Sequence, residues 1–372
     1  MVSYRFISEG RYERATAAVP TSTTDYPKIR STADFARLVG LSRSTVSRVL
    51  NGQPGLRKST ITRVNAAIEE TGFTPNAHAL HLRGKKPAMI GVCMENLLTP
   101  TAVAKVASLQ KYLRDHGYDT LIEVVEPNAS RAIVRHLCSL RVGAVVFIGH
   151  FITTELRLRI GELRRFGVPH LVVDNPGIEE ADTVSLDRVR ALDEVTTHLL
   201  NLGHRRFGLL GISGIFQSII DRLSGIRSGL ARKGLDPARC TLSLDPPQAW
   251  AHGADHFEYG CMLARGFLGR RDMPTAFIAV NDDIAIGALI EFQSHGLRVP
   301  EDLSIVGFNN LPVCMMTRPC LTTVDQQIES CMQQAGAFVL RRVGSSAKRN
   351  QTLRLVKPLL VVRQSTGKVR SA

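Results

Sequence analysis

Between residues 31 and 73 the apolar positions recur every three or four residues, as on one face of a helix. In LSRSTVSRVLNG, residues 41–52, Val46, Val49 and Leu50 fall at i, i+3 and i+4, and Arg43, Ser44, Ser47 and Arg48 fall on the opposite face. Just upstream, STADFARLVG offers Ser31 or Thr32 as an N-cap, Phe35, Ala36 and Val39 as an inner face, and Gly40 as a stop. A third helix is predicted over roughly 58–71, with Ile61, Val64, Ala67 and Ile68 turned inward. Two helices joined by a short turn containing Gly form a helix-turn-helix. Three such helices can close one small core.

From residue 88 the pattern changes to short apolar runs separated by helical segments. AMIGVCM (88–94), DTLIEVV (119–125), GAVVFIG (143–149) and PHLVVDN (169–175) read as buried strands, with a helix predicted at 153–166. After 188 the cycle restarts, with a helix near 189–202, then RRFGLLGI, a helix at 221–233, CTLSL, a helix at 253–269, TAFIAVND, a helix ending at 295, and LSIVGFN. Two successive βαβ series predict an α/β core of two doubly wound parallel-sheet lobes, preceded by an all-α headpiece. Ligands in such sheets sit beyond the carboxyl ends of the strands, so two facing lobes make a cleft.

Charge narrows the choice of partner. The 372-residue chain carries a net charge of +14. Residues 1–86 hold 14 Lys and Arg against 6 Asp and Glu, while the other 286 hold 33 against 27. A basic amino-terminal quarter points to a polyanion, nucleic acid before membrane. No apolar run approaches the ~18–20 residues that span a bilayer. The first 20 residues carry scattered charges and lack the apolar centre of a secretory signal, which predicts a cytoplasmic protein. Residues 1–27 show no sustained periodicity and read as a disordered arm, or as non-structural residues added by an upstream start. The seven cysteines make no C-x-x-C pair and are expected as reduced thiols. With no H-E-x-x-H, no metal and no cofactor are expected.

A helix with one apolar face and a face of arginines and hydroxyls suits the DNA major groove. Arginine can fork onto guanine, and hydroxyls can bond phosphates or base edges. Arg43, Ser44, Ser47 and Arg48 are the leading candidates, with Thr32, Ser42, Thr45, Asn51 and Thr60 as further DNA contacts.

TADFARLVGLSRSTVSRVLNG, followed by GFTPNAHALHLRG at 72–84, resembles the headpiece of the lactose-repressor (LacI/GalR) family of bacterial transcription regulators. The second stretch is similar to that family's hinge helix, which folds on operator DNA beside its twin in the minor groove. The residues agree: Pro75-Asn76 can start a short helix, Ala79 permits close approach of two helices, and Leu82 can wedge between base pairs. The resemblance thus adds Asn76, Ala79 and Leu82 to the DNA contacts. Arg57 departs from the pattern where a Ser, Asp or Asn cap is usual, and Leu80 and His81 replace polar or basic residues.

The resemblance continues through GHRRFG (203–208), RLSG (222–225), PTAFIAVNDDIAIGAL (274–289), GLRVPEDLSIVGFNN (296–310), LTTVDQ (321–326) and LVVRQST (360–366). It implies a periplasmic-binding-protein-like core whose lobes are joined by crossovers near 185, 325 and 358. It also implies a homodimer, or a higher oligomer, that binds double-stranded operator DNA and a small effector. The implied domains are 28–74 for the headpiece, 75–86 for the hinge and 87–372 for the core. Within the core, lobe one takes about 87–185 and 326–357, and lobe two about 186–325 and 358–366.

By the same resemblance Arg222, Asp174, Asn281 and Gln326 occupy effector-facing positions, and Glu95 follows the first core strand. Local readings stay open beside these: a helix cap for Asn281-Asp282, a strand-end turn for Asp174, a structural crossover for Gln326. Asn309 stands where most members have an Asp, and Thr101-Ala102 where many have two aromatics. Trp250, the single tryptophan, lies near the family's ligand-facing loop and reads equally as a core residue. Arg222 without a carboxylate at 309 favours a hydroxylated or anionic effector: a sugar, a sugar acid or a sugar phosphate. Two other classes compete. A solute-binding receptor would have a signal peptide and no helix-turn-helix. An enzyme on this fold would have G-x-G-x-x-G, a P-loop or G-x-S-x-G, and GLLGISG (208–214) is none of these. The resulting expectation is a repressor under effector control and not an enzyme.

Overall fold

The structure, a computed structural model, describes residues 31–50, 53–73, 89–95, 99–125, 132–149, 151–175, 177–214, 216–244, 255–343 and 352–370. The arm at 1–27, the hinge at 75–86 and Trp250 lie outside the described residues. The chain divides into two compact units, Met1–Lys85 and Lys86–Ala372.

The first unit has α1 (Thr32–Val39), α2 (Arg43–Leu50) and α3 (Lys58–Thr71). Ser31, not Thr32, caps α1: its hydroxyl accepts from the Asp34 N–H at 3.1 Å. Gly40 ends α1 with φ +66°, a left-handed conformation that a side chain would strain. That turn sends α2 back across α1. Phe35, Ala36, Val39, Val46, Val64 and Phe73 form the core, with the Phe35 and Phe73 rings stacked at 4.2 Å. Ile61, expected inside, is 36% exposed. Helix α3 is longer than the two eight-residue helices that cover it, so its first turn stays in solvent and Phe73 fills the interior. Arg57 at the N-cap of α3 makes no side-chain cap bond.

The second unit runs β1 (Met89–Met94), α4 (Pro100–Asp115), β2 (Asp119–Val124), α5 (Ala132–Ser139), β3 (Ala144–Ile148), α6 (Thr153–Arg165), β4 (His170–Val173), β5 (Asp182–Leu186) and α7 (Arg188–Asn201). It continues with β6 (Phe207–Leu210), α8 (Gln217–Ala231), α9 (Pro237–Cys240), β7 (Thr241–Ser243), α10 (His256–Phe267), β8 (Ala276–Ala279) and α11 (Asp282–Ser294). It ends with β9 (Ser304–Val306), a 3-10 turn (Pro312–Met315), β10 (Thr323–Asp325), α12 (Ile328–Arg342), β11 (Leu353–Val356) and β12 (Leu359–Val361).

One parallel sheet has the order β11-β5-β4-β3-β1-β2, the other β7-β6-β8-β9. Successive side chains on a strand face opposite ways. Ile90, Val92 and Met94 therefore pack with Leu109 of α4 and Met332 of α12, whereas Cys93 packs with Leu137 of α5 and Ile160 of α6. Helices on both faces explain why these strands read as unbroken apolar runs. The second sheet buries Phe207, Phe277 and Phe292 in its own core. The chain passes between the sheets after β5, after β10 and after β11, and β10 pairs with β12 as an antiparallel ribbon. In both sheets the strand order reverses beside the first strand, β1 or β6, where a doubly wound sheet opens its ligand crevice.

Some elements differ from expectation. Helix α8 starts at Gln217 rather than 221. β5 is a full member of the first sheet, although DTVSL alternates too weakly to predict it. β10, β11 and β12 are three or four residues long, too short to carry a period. Among the described residues no helix is long and apolar enough to cross a membrane, and no group of His, Cys, Asp or Glu is placed to hold a metal.

His204, 1% exposed, ties three segments together. Its Nδ1 lies 2.9 Å from the Thr275 hydroxyl, and its Nε2 lies 3.0 Å from the Ser304 hydroxyl and 3.1 Å from the Gly367 carbonyl. Burial holds the pKa of His204 below the usual imidazole value, and does the same for His170 and His198. The unfolded chain therefore takes up protons near pH ~6.5, where the folded chain does not. Their stabilising contribution is present above that pH and is lost as pH falls through the lowered native values. The melting temperature should drop between about pH 7 and pH 5.5. His204→Gln should shrink that drop, as scanning calorimetry at the two pH values would record.

Candidate functional site

Two sites can be built from the residues upward, one in each unit. At the amino end of α2 the Ser42 hydroxyl accepts from the Thr45 N–H at 3.1 Å and lies 2.8 Å from the hydroxyls of both Ser44 and Thr45. Arg43, Ser44 and Arg48 are exposed, Thr45 and Ser47 half-buried, and Val46 fully buried. Arg48 donates one N–H to the Pro54 carbonyl at 3.1 Å, which steadies its guanidinium beyond the helix. Thr32 and Thr60, in the first turns of α1 and α3, are half-buried. Cations and hydroxyls thus line one side of a helix whose other side is spent on the core, the arrangement a groove-reading helix requires. Asn51, Asn76, Ala79 and Leu82 lie outside the described residues.

In the second unit the polar groups gather where the two sheets face each other. Asp174 ends β4 in a left-handed conformation, φ +67°, and is 2% exposed. Its carboxylate pairs with the Lys105 ammonium from α4 and with the Arg188 guanidinium from α7, the latter at 3.0 Å. It also accepts from the Leu186 N–H at 3.3 Å. Three segments of chain therefore converge on one carboxylate. Sequence reasoning placed Asp174 in the cleft but missed Lys105 and Arg188, since neither follows from periodicity.

Arg222 sits in α8, 5% exposed. It donates to the Ser218 carbonyl at 2.8 Å and the Val280 carbonyl at 3.4 Å, and its guanidinium lies 4.4 Å from the centre of the Phe308 ring. Burial, then the charge of Arg188, lowers its pKa to about 9, against the pull of Asp174 and Asp221. Asn309, at φ +126°, follows β9, and its side-chain oxygen accepts from the Gln326 amide. These two amides join the end of β9 to the crossover after β10.

Asn281 caps α11, its oxygen accepting from the Ile284 N–H at 2.9 Å, and its nitrogen lies 3.0 Å from His256 Nδ1. Its neighbour Asp282 is fully buried. It accepts from the Thr323 hydroxyl at 2.5 Å and from the Leu311 N–H at 2.8 Å, and burial raises its pKa. Asp282 thus clips β10 and the 3-10 turn to α11.

Glu95, just past β1, is half-buried. It lines a recess with Phe151, Glu155 and Arg159 of the first lobe and Phe216 of the second. Gly177 of the first lobe lies against Gln217 of the second, with room for a Cβ only 3.4 Å from its amide oxygen. Phe151, Arg159 and Phe216 were not foreseen as part of this site.

Residues 32–76 match the pattern of bacterial regulatory proteins of the lacI family, and residues 196–366 match a periplasmic binding protein-like domain. The chain is 30% identical over 341 residues to the HTH-type transcriptional regulator MalR of Streptomyces coelicolor, covering 90% of this chain and 96% of that protein. This chain belongs to the LacI family. It is therefore a DNA-binding transcriptional regulator of the helix-turn-helix type, not an enzyme. It is also 30% identical over 341 residues to the HTH-type regulator DegA of Bacillus subtilis, covering 90% of this chain and 97% of that one. Against the solved structure of the lac repressor dimer bound to operator and the anti-inducer ONPF, the TM-score is 0.79 at 25% identity, over 91% of this chain and 99% of that chain.

In this LacI-family core the ionic cluster at Asp174 has a structural task whatever ligand enters the cleft. Removing one partner of a buried ion pair leaves an uncompensated charge, at a cost of about 3–5 kcal/mol. Asp174→Ala should destabilise the protein by that amount in urea unfolding at neutral pH. An unchanged midpoint and slope would show that the cluster contributes nothing.

Proposed function

We propose that this LacI-family regulator is a cytoplasmic homodimeric repressor. It reads its operator through α2 and the hinge at 75–86, and a small sugar-like ligand between the core lobes sets its hold on DNA. In this reading residues 28–74 bind the major groove and residues 87–372 carry the dimer contact and the ligand. The first lobe takes about 87–185 and 326–357, the second about 186–325 and 358–366. Glu95, Asp174, Arg222, Asn281, Asn309 and Gln326 line the ligand site, with Asp174 and Asn281 also serving the fold. Sugars, sugar acids and sugar phosphates match the chemistry of these groups. The observation that carries the reading is Arg222, a buried guanidinium held by the Ser218 and Val280 carbonyls and the Phe308 ring.

Regulation then follows from linkage. A ligand shifts DNA binding only if it has different affinity for two lobe arrangements, and the coupling is reciprocal. Contacts reaching both lobes supply that difference, because they are made fully in only one arrangement.

Arg48→Ala should weaken binding to the preferred operator by about 1–3 kcal/mol and relax the preference at one base pair. Binding-site selection on both proteins would show it, and an identical selected sequence would rule out base reading by Arg48. Arg222→Ala should bind operator as the parent does yet lose its response to a panel of sugars, sugar acids and sugar phosphates in operator titrations. A parental response at parental ligand concentration would remove Arg222 from the ligand site.

A further inference from the structure

Arg188 is the first residue of α7 and is 2% exposed. Its Nη2 pairs with Asp174 at 3.0 Å, but its Nε and Nη1 are buried without a hydrogen-bond partner among the described residues. The Nε of Arg222 is in the same condition. Buried donors normally find acceptors, so three orphaned nitrogens on two arginines call for an explanation.

Helix packing brings the two arginines together. At Gly225, α8 presses on α7 so closely that a Cβ there would stand 2.2 Å from the Val189 carbonyl and 2.9 Å from the Leu192 Cβ. Arg222 lies three residues before Gly225, on the same face of α8. Arg188 lies one residue before Val189. The charge of Arg188 is felt at Arg222, where it opposes protonation. Lys105 adds a third buried cation, while Asp174 is ion-paired within the cluster and Asp221 acts on Arg222 from the neighbouring position in α8. The cluster thus holds three buried cations and unspent donors in a setting of low polarity. Planar guanidinium forks match the oxygens of a phosphate or carboxylate, and such bonds strengthen away from water.

We propose that Arg188 and Arg222 form an anion site on the floor of the interlobe cleft, which holds the phosphate or carboxylate of the effector, with Arg188 as the residue that selects for it. This rests on the reading of the cleft as the effector site, and it specifies the ligand class. Neutral sugars lack the group that would use the orphaned donors, and a uronic or aldonic acid or a sugar phosphate supplies it.

The full-length protein can be tested first with inorganic phosphate, by thermal shift and calorimetric titration at constant ionic strength. The parent should bind phosphate saturably. Arg188→Gln should abolish that binding. Arg188→Lys keeps a cation opposite Asp174, and with it the fold, but loses the fork, and its phosphate affinity should fall at least tenfold. Glucose 6-phosphate, gluconate and glucose are then compared in the same assay and in operator titrations. Binding of either anionic compound in preference to glucose, lost in Arg188→Lys, supports the site, and the two compounds tell phosphate from carboxylate. No saturable phosphate binding, or equal binding in Arg188→Lys, overturns it. A response to glucose alone, unchanged in Arg188→Lys, overturns the anion site while leaving the cleft reading intact. Arg188-dependent phosphate binding with no effect of any compound on operator affinity supports the anion site and counts against the effector reading.

Discussion

The core of this regulator is organised around a charge that cannot reach water. Asp174 is almost wholly buried where β4 ends, and an isolated carboxylate in that setting would be strongly disfavoured. Lys105 and Arg188 answer it from two further elements, and the Leu186 N–H adds a bond from the neighbouring strand. Satisfying one carboxylate therefore fixes the position of α4, the end of β5 and the start of α7 relative to β4. Because α7 follows the first crossover, the same cluster ties the first sheet to the helix that opens the second lobe.

That arrangement has a functional side. Such a cluster is weak evidence for stability by itself, since well-packed apolar residues often do as well. Its stronger consequence is directional: it brings Lys105, Arg188 and the end of β5 to the carboxyl end of β4. Arg222 approaches from α8 because Gly225 allows α8 to lie on α7 without a side chain between them. Asn309 and Gln326 meet across the second crossover, and Asp282 clips the neighbouring segment to α11. In the proposed function, a ligand held by these groups would meet partners whose separation depends on how the lobes sit, the condition for coupling ligand binding to a second equilibrium.

The headpiece works on a smaller scale. Six buried residues and one stacked aromatic pair hold three helices. So small a core leaves little to spare, and each of its elements has to combine roles. In α2, Val46 serves the core while Arg43, Ser44 and Arg48 face solvent within the same eight residues.

The sequence by itself determined whatever depends on near neighbours along the chain. The faces of α1 and α2, the Gly40 turn, the alternation of apolar strands with helices and the basic first quarter all follow from spacing and composition. Each is set by contacts within a few residues, or by charge summed over a segment. Tertiary structure decided the rest. Ile61 has the right spacing for the core, yet it is exposed because α3 outruns its two short partners. Asn281 has the sequence of a ligand residue and of a helix cap, and only the fold shows the cap, with Ile284 and His256 beside it. β5 and the β10–β12 ribbon are too short or too weakly patterned to announce themselves. Lys105 and Asp174 are 69 residues apart in the chain, and nothing local marks Lys105 or Arg188 as buried. A long charged side chain goes inside only when folding supplies its counter-charge, and that partner comes from a distant part of the chain, beyond the reach of any local period.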